Sequence, residues 1–174
     1  MAAEGGAGGA MVYATYTAPS NIACIKYWGK RDAKTNTPIN SSVSVTLNQD
    51  DLHAKTTVLA GPSLAADRLW LNGTEEDVAS NKRVVAVLRE IRARAGSAGG
   101  EAAERAAKAE WSVHIVSANT FPTAAGLASS AAGYACLVAA LADVFGVGES
   151  YPGELTTIAR QGSGSACRSL YGGV

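Results

Sequence analysis

The sequence predicts a two-layer α/β sandwich of mixed (α+β) type. Short runs that alternate apolar and polar residues, rich in β-formers, dominate between Val12 and Leu71. Longer runs with apolar faces at helical spacing follow from Asn81 onward. Strands first and helices later, with little sequential alternation, favour helices packed on one side of a sheet.

The chain has 174 residues, 47% hydrophobic and 17% charged, which suits one domain with a real core. Residues 1–12 read as a disordered Ala/Gly-rich tail and 13–174 as the domain. Residues 12–17 alternate and form a strand that Pro19 and Ser20 should end. Residues 21–30 mix apolar, aromatic and basic side chains in a strand or turn, with Lys26 and Lys30 four apart. A polar turn at 31–38 leads to strands at 42–47, 54–59 and 67–71, with Gly61-Pro62 between the last two. Asn72-Gly73 is a turn signal, and Thr74, Glu75, Glu76 and Asp77 suggest the start of a helix.

Residues 81–94 place Val84, Leu88 and Ile91 on one helical face, with Lys82, Arg89 and Arg92 elsewhere. Residues 95–109 read as a partly helical loop. Residues 111–116 return to strand, and 131–145 form a helix that stops near Gly146 or Gly148. Tyr151-Pro152-Gly153 is a turn, 154–160 a short helix, and 162–168 a second small-residue loop ending in Arg168.

Lys plus Arg equals Asp plus Glu at 15 each, so no global field draws the chain to nucleic acid or an anionic membrane. No apolar run approaches bilayer-spanning length, and the N-terminus lacks a secretory pattern. Cys24, Cys136 and Cys167 are scattered, without metal or disulfide spacing. Cys167 reads as a small packing residue, and His53 and His114 match no catalytic pattern.

The chemistry concentrates at Phe121-Pro-Thr-Ala-Ala-Gly-Leu-Ala-Ser-Ser-Ala-Ala132. Small residues between a strand and a helix let bare N–H groups approach an anion, and the helix start adds positive potential. Ser129 and Ser130 either add donors or cap the first turn. The spacing alone fits a capped core helix equally well, and the Gly-x4-Gly-Lys-Ser/Thr pattern is absent.

Pro122-Thr-Ala-Ala-Gly-Leu-Ala-Ser-Ser-Ala-Ala-Gly133 resembles the ATP-phosphate loop of the GHMP kinase superfamily. With Asn21-Ile-Ala-Cys-Ile-Lys-Tyr-Trp-Gly-Lys30 and Ser163-Gly-Ser-Ala-Cys-Arg-Ser-Leu-Tyr-Gly-Gly173, the chain resembles the diphosphomevalonate decarboxylase family of that superfamily. The resemblance implies the GHMP N-terminal domain, ribosomal protein S5 domain 2-like. It implies ATP-dependent decarboxylation of (R)-5-diphosphomevalonate to isopentenyl diphosphate in the mevalonate pathway to isoprenoids and sterols, with ATP as co-substrate and Mg²⁺ on its phosphates.

Carried over by position, Gly126, Ala128, Ser129 and Ser130 would bind ATP. Tyr27, Trp28, Gly29, Lys30 and Arg83 (Lys82 competing) would hold the substrate, together with Ser163, Gly164, Ser165, Ala166, Cys167 and Arg168. Arg168 would orient the substrate carboxylate and Asn21 would support the active site. The resemblance further implies small-molecule partners only, a homodimer, and a cytosolic location, with the peroxisome as alternative. The family continues for roughly as long again beyond Val174 and carries its catalytic Asp there. The chain therefore reads as truncated, weakly active at best, with apolar surface exposed where a second half would dock. Another GHMP small-molecule kinase and a non-catalytic nucleotide-binding fragment are the alternatives.

Overall fold

A computed structural model describes residues 11–97, 107–122 and 126–172. Among the described residues the main elements order as β1 (Val12–Pro19), β2 (Asn21–Ile25), β3 (Val43–Thr46), β4 (His53–Gly61), β5 (Arg68–Leu71), β6 (Thr74–Glu76), α1 (Lys82–Ser97), β7 (Ser112–Asn119), α2 (Ser129–Phe145), α3 (Glu154–Gly162) and α4 (Ala166–Tyr171). A five-stranded sheet runs β1-β4-β7-β5-β6, and β2-β3 form a separate ribbon. Among the described strands only the β5–β7 pair is parallel.

Alternation decides which sheet face is buried. Ala54, Thr56, Val58 and Ala60 of β4, with Val113 and Ile115 of β7, turn inward and are closed from solvent. α1 covers them with Val84, Val87, Leu88, Ile91 and Ala95, and α2 with Leu137, Val138, Leu141 and Phe145. Each such large side chain contributes about 1.5–3 kcal/mol on burial. The first turns of α2 present Ala132, Ala135 and Cys136 to Ala18 and Ala54, so small side chains bring the helix start close to the sheet. Cys136 donates to the Ala54 carbonyl at 3.1 Å, and burial pushes its thiol up to about 12. The opposite sheet face bears Tyr13 (72% exposed) and Val116 (50% exposed).

Several boundaries differ from the sequence reading. Val12 belongs to β1, and residues 1–10 lie outside the described residues, as do 98–106 of the expected loop. β1 runs past Thr17 and ends at Pro19 and Ser20, as expected, with Pro19 as its last paired residue. Pro19 pairs with His53 at the end of an edge strand, where proline's missing donor costs little. Thr74–Glu76 is a strand rather than a helix start. Asn72 (φ 50°) and Gly73 (φ 84°) form a two-residue hairpin that pairs Leu71 with Thr74. The helix begins later, where Asn81 Oδ1 accepts the Val84 N–H at 3.3 Å. Gly146 (φ 65°) stops α2 in the left-handed conformation that suits glycine. Residues 162–168 are not one loop, because α4 starts at Ala166 and carries Arg168.

Candidate functional site

Two hollows flank the start of α2. The first, about 510 Å³, lies between the β5–β6 hairpin, α1 and α2, with Leu69, Asn72, Ile115, Ser129, Ser130 and Tyr134 among its walls. Thr56 and Ser117 share a hydroxyl–hydroxyl bond of 2.8 Å among its lining residues. The Tyr134 hydroxyl donates to Asn81 Oδ1 at 3.4 Å. Burial pushes that phenol up, and the Arg83 charge acts the other way.

At the mouth of this hollow the chain turns through Gly126 (φ 76°) and Ala128 (φ 55°) before entering α2. Ala128 is the N-cap residue and supplies no side-chain bond. Ser129 and Ser130 are therefore the first helical residues, not caps. No acidic residue sits in the first turn, so the positive end of α2 is uncompensated there. The Ser20 hydroxyl donates to the Leu127 carbonyl and ties this turn to the β1–β2 junction. Positions 123–125 of the small-residue loop lie outside the described residues.

The second hollow, about 500 Å³, lies between the β2–β3 ribbon and the α3–α4 junction, with Asn21, Tyr27, Ser42, Arg160, Gly164 and Arg168 on its walls. Cys167 also lines it, and its thiol donates to the Gly164 carbonyl at 3.6 Å. The Arg168 guanidinium lies 5.7 Å from the Tyr27 ring centroid, and its Nη1 donates to Ser42 Oγ at 3.2 Å. Its buried Nε has no partner among the described residues. Asn21 is 2% exposed, and its Nδ2 donates to Thr46 Oγ1 at 3.1 Å while Oδ1 has no partner among the described residues. Unpaired buried polar atoms are costly, and these two belong to side chains on the wall of one hollow, which marks that wall as built for more than packing. No described carboxylate lines it. A Cβ on Gly164 would stand 2.7 Å from the Tyr27 hydroxyl, so that close approach requires glycine.

The hollows adjoin, since Ser130 Oγ of the first lies 3.5 Å from Ser163 Oγ, beside Gly164 of the second. Ser165 caps α4 without a side-chain bond, and buried Ala166 opens that helix. Trp28, Gly29 and Lys30 are exposed on the loop beyond Tyr27 and line neither hollow, and Arg83 is exposed on α1. The structure thus gathers Asn21, Tyr27, Gly164, Cys167 and Arg168, places Ser129 and Ser130 next door, and leaves Lys30 and Arg83 apart. Sequence reasoning missed Asn81, Tyr134, Ser42 and Arg160. Tyr134 carried a faint signal, as the one aromatic residue in the small-residue first half of α2.

A family model described as the diphosphomevalonate decarboxylase-like N-terminal domain matches residues 18–174. The chain belongs to that family.

Among relatives named diphosphomevalonate decarboxylase, the Eremothecium gossypii protein is 55% identical over 160 residues, 92% of this chain and 40% of that protein. The human protein is 56% identical over 163 residues, 91% of this chain and 39% of that one. A crystal structure of mevalonate 5-diphosphate decarboxylase superposes with a TM-score of 0.77 at 50% identity, covering 91% of this chain and 40% of that chain. The Enterococcus faecalis mevalonate diphosphate decarboxylase gives 0.74 at 38% identity, covering 92% and 45%. A related structure, described as a complex with MVAPP, AMPPCP and magnesium, gives 0.75 at 38% identity, covering 92% and 44%. These neighbours have the GHMP kinase fold, and the present sandwich is its N-terminal part. The chain spans about 40% of the length of the relatives it matches.

Proposed function

We propose that this chain supplies the polyanion-binding part of a diphosphomevalonate decarboxylase. The observation that carries the reading is the contact of two hollows at Ser130 and Ser163, one beside an uncompensated helix start and the other holding Arg168. Two like-charged phosphate groups need such fixed donors if they are to be held side by side.

In this reading Ser129 and Ser130, with the backbone at Gly126 and Ala128, hold the nucleotide phosphates. Arg168 aims its fork at the substrate carboxylate, stiffened by Tyr27 and Ser42. Asn21, with its unpaired Oδ1 buried behind the wall of the same hollow, supports the site, and Ser163, Gly164, Ser165, Ala166 and Cys167 line the approach. Tyr27 lines the hollow from the start of its loop, and Trp28, Gly29, Lys30 and Arg83, which lie outside both hollows, are assigned to the diphosphate by their family positions alone. The γ-phosphoryl group of ATP passes to the tertiary hydroxyl. Phosphate then departs with its C–O bond pair, the carboxylate C–C bond breaks, and its electrons form the new double bond as CO₂ leaves. Among the described residues no His, Cys, Asp or Glu cluster would hold a metal by itself. That suits Mg²⁺ carried in on the nucleotide, where it would neutralise phosphate charge beside the Ser129 and Ser130 hydroxyls.

With no carboxylate lining the second hollow among the described residues, this chain binds substrate but receives its acid–base group from elsewhere. Residues 13–174 act as one domain in this reading, in a cytosolic homodimer, with a peroxisomal location as the alternative. No described helix is long and apolar enough to cross a membrane.

The test is titration of purified chain with (R)-5-diphosphomevalonate and with Mg·ATP, followed by trapping CO₂ from carboxyl-labelled substrate. Saturable binding of both ligands is expected, with little or no CO₂. A phosphorylated product that keeps the label would instead indicate a small-molecule kinase. Failure to bind diphosphomevalonate by a chain that is folded overturns the proposal.

A further inference from the structure

Residues 27–40 carry one wall of the second hollow through Tyr27 and Pro38. This loop is closed largely on itself. Arg31 N–H donates to the Thr37 carbonyl at 2.7 Å, Thr37 N–H to Asp32 at 3.1 Å, and Ile39 N–H to Trp28 at 3.2 Å. At its base Asn40 Oδ1 accepts the Trp28 N–H at 2.9 Å, and its Nδ2 donates to the Ser41 carbonyl at 2.9 Å. At its tip one side chain reaches across the fold. Asn36 Nδ2 donates to the Arg160 carbonyl at 2.9 Å and lies 3.5 Å from the Gln161 carbonyl.

Those carbonyls belong to the last turn of α3, where main-chain acceptors lack helical donors. Just past Gly162, Ser163 and Gly164 begin the opposite side of the site, and Arg160 itself lines the hollow. Asn36 thus joins a loop on one wall to the helix end that supports the other. Its backbone is left-handed (φ 52°), which asparagine tolerates better than most residues. Its amide is the donor that two carbonyls require, and an aspartate there would turn a negative oxygen toward them.

We propose that Asn36 is a positioning residue that sets the gap between Tyr27 and Arg168 for a diphosphorylated carboxylic acid. The inference rests on the functional reading above, but its structural part can be tested without it. Asn36→Gly keeps the left-handed backbone and deletes the amide, and Asn36→Asp keeps the shape and removes the donor.

Hydrogen exchange on the purified chain should show residues 31–39 and 163–168 both exchanging about fivefold faster in either variant, since one cross-loop bond is lost. The dissociation constant for (R)-5-diphosphomevalonate should rise roughly tenfold, with that for Mg·ATP within about twofold. Unchanged exchange at 163–168, or equal weakening of both ligands, overturns the proposal. If the parent chain binds no diphosphomevalonate, the functional reading fails, and the exchange comparison still decides whether Asn36 couples the two walls.

Discussion

Ser130 and Ser163 meet hydroxyl to hydroxyl, 3.5 Å apart, although 33 residues separate them. One lies in the first turn of α2 and the other caps the end of α3, so the contact sets two helix ends side by side. A ligand in either hollow would compete for these hydroxyls or share them. Ser130→Ala is expected to weaken Mg·ATP binding by about 0.5–1.5 kcal/mol, the range for one hydrogen bond. Ser163→Ala should act mainly on diphosphomevalonate. In a double-mutant cycle read by calorimetry the two should be non-additive, and strict additivity would show that the hollows work independently.

Arg168 separates charge from geometry. Its guanidinium lies 5.7 Å from the Tyr27 ring centroid, bonds Ser42 through Nη1, and keeps a buried Nε with no partner among the described residues. Arg168→Lys preserves the charge but has no planar fork. We expect it to lower diphosphomevalonate affinity at least about tenfold while ATP affinity holds, a loss of about 1.4 kcal/mol. A lysine variant that binds like the parent would show that charge alone suffices and that the carboxylate is not gripped by a fork.

The frame of the fold was legible because burial follows a period of two in strands and of about 3.6 in helices. Ala54, Thr56, Val58 and Ala60 alternate inward as their spacing implies, and Val84, Leu88 and Ile91 share one buried face. β6 was not legible, since Thr74, Glu75 and Glu76 are all exposed and carry no apolar signal. The strand exists because Asn72-Gly73 folds it back on β5. In the candidate site the small-residue loops were visible locally, but their partners were not. Asn36 meeting Arg160, or Tyr134 lying by Asn81, depends on how distant elements pack. The position of Lys30 on an exposed loop, away from both hollows, likewise follows from tertiary placement rather than from its motif.

Asp67 and Arg92 form a half-buried bidentate pair, at 2.8 and 2.9 Å, and Asp67 also accepts the Val113 N–H at 2.9 Å. Burial raises the Asp67 carboxyl, but the bonds and charge of Arg92 and the Val113 amide outweigh it and hold it below its ordinary 3.8. A lowered folded-state value stabilises above the unfolded value, and that contribution is lost as pH falls through the folded one. Asp67→Asn should cost about 2 kcal/mol at neutral pH, between surface and buried pairs. Urea unfolding at a series of pH values should show this gap narrowing once the pH drops below 3.8. A gap that stays constant to the acid limit would mean that the carboxylate charge is not what holds β5 to α1.

Gly162 connects stability to the first hollow, whose wall includes Tyr134. A Cβ built on it would lie 2.1 Å from Tyr134 Cδ1 and 2.5 Å from Cγ, so the ring rests directly on the backbone at the end of α3. The near edge of the ring, close to its attachment, would have to move, and a χ1 change is restricted in a packed helix. Gly162→Ala should therefore push Tyr134 from its place beside Asn81 and destabilise the fold by about 1–3 kcal/mol, as overpacking does. Tyr134→Ala removes the ring and with it the clash. The double variant should then recover the part of the loss that belongs to Gly162, while ATP binding stays weakened because the wall of the hollow is gone. Thermal unfolding of the two single variants and the double separates these effects. If Gly162→Ala is as damaging without the tyrosine as with it, the crowding lies elsewhere in the α2–α3 contact.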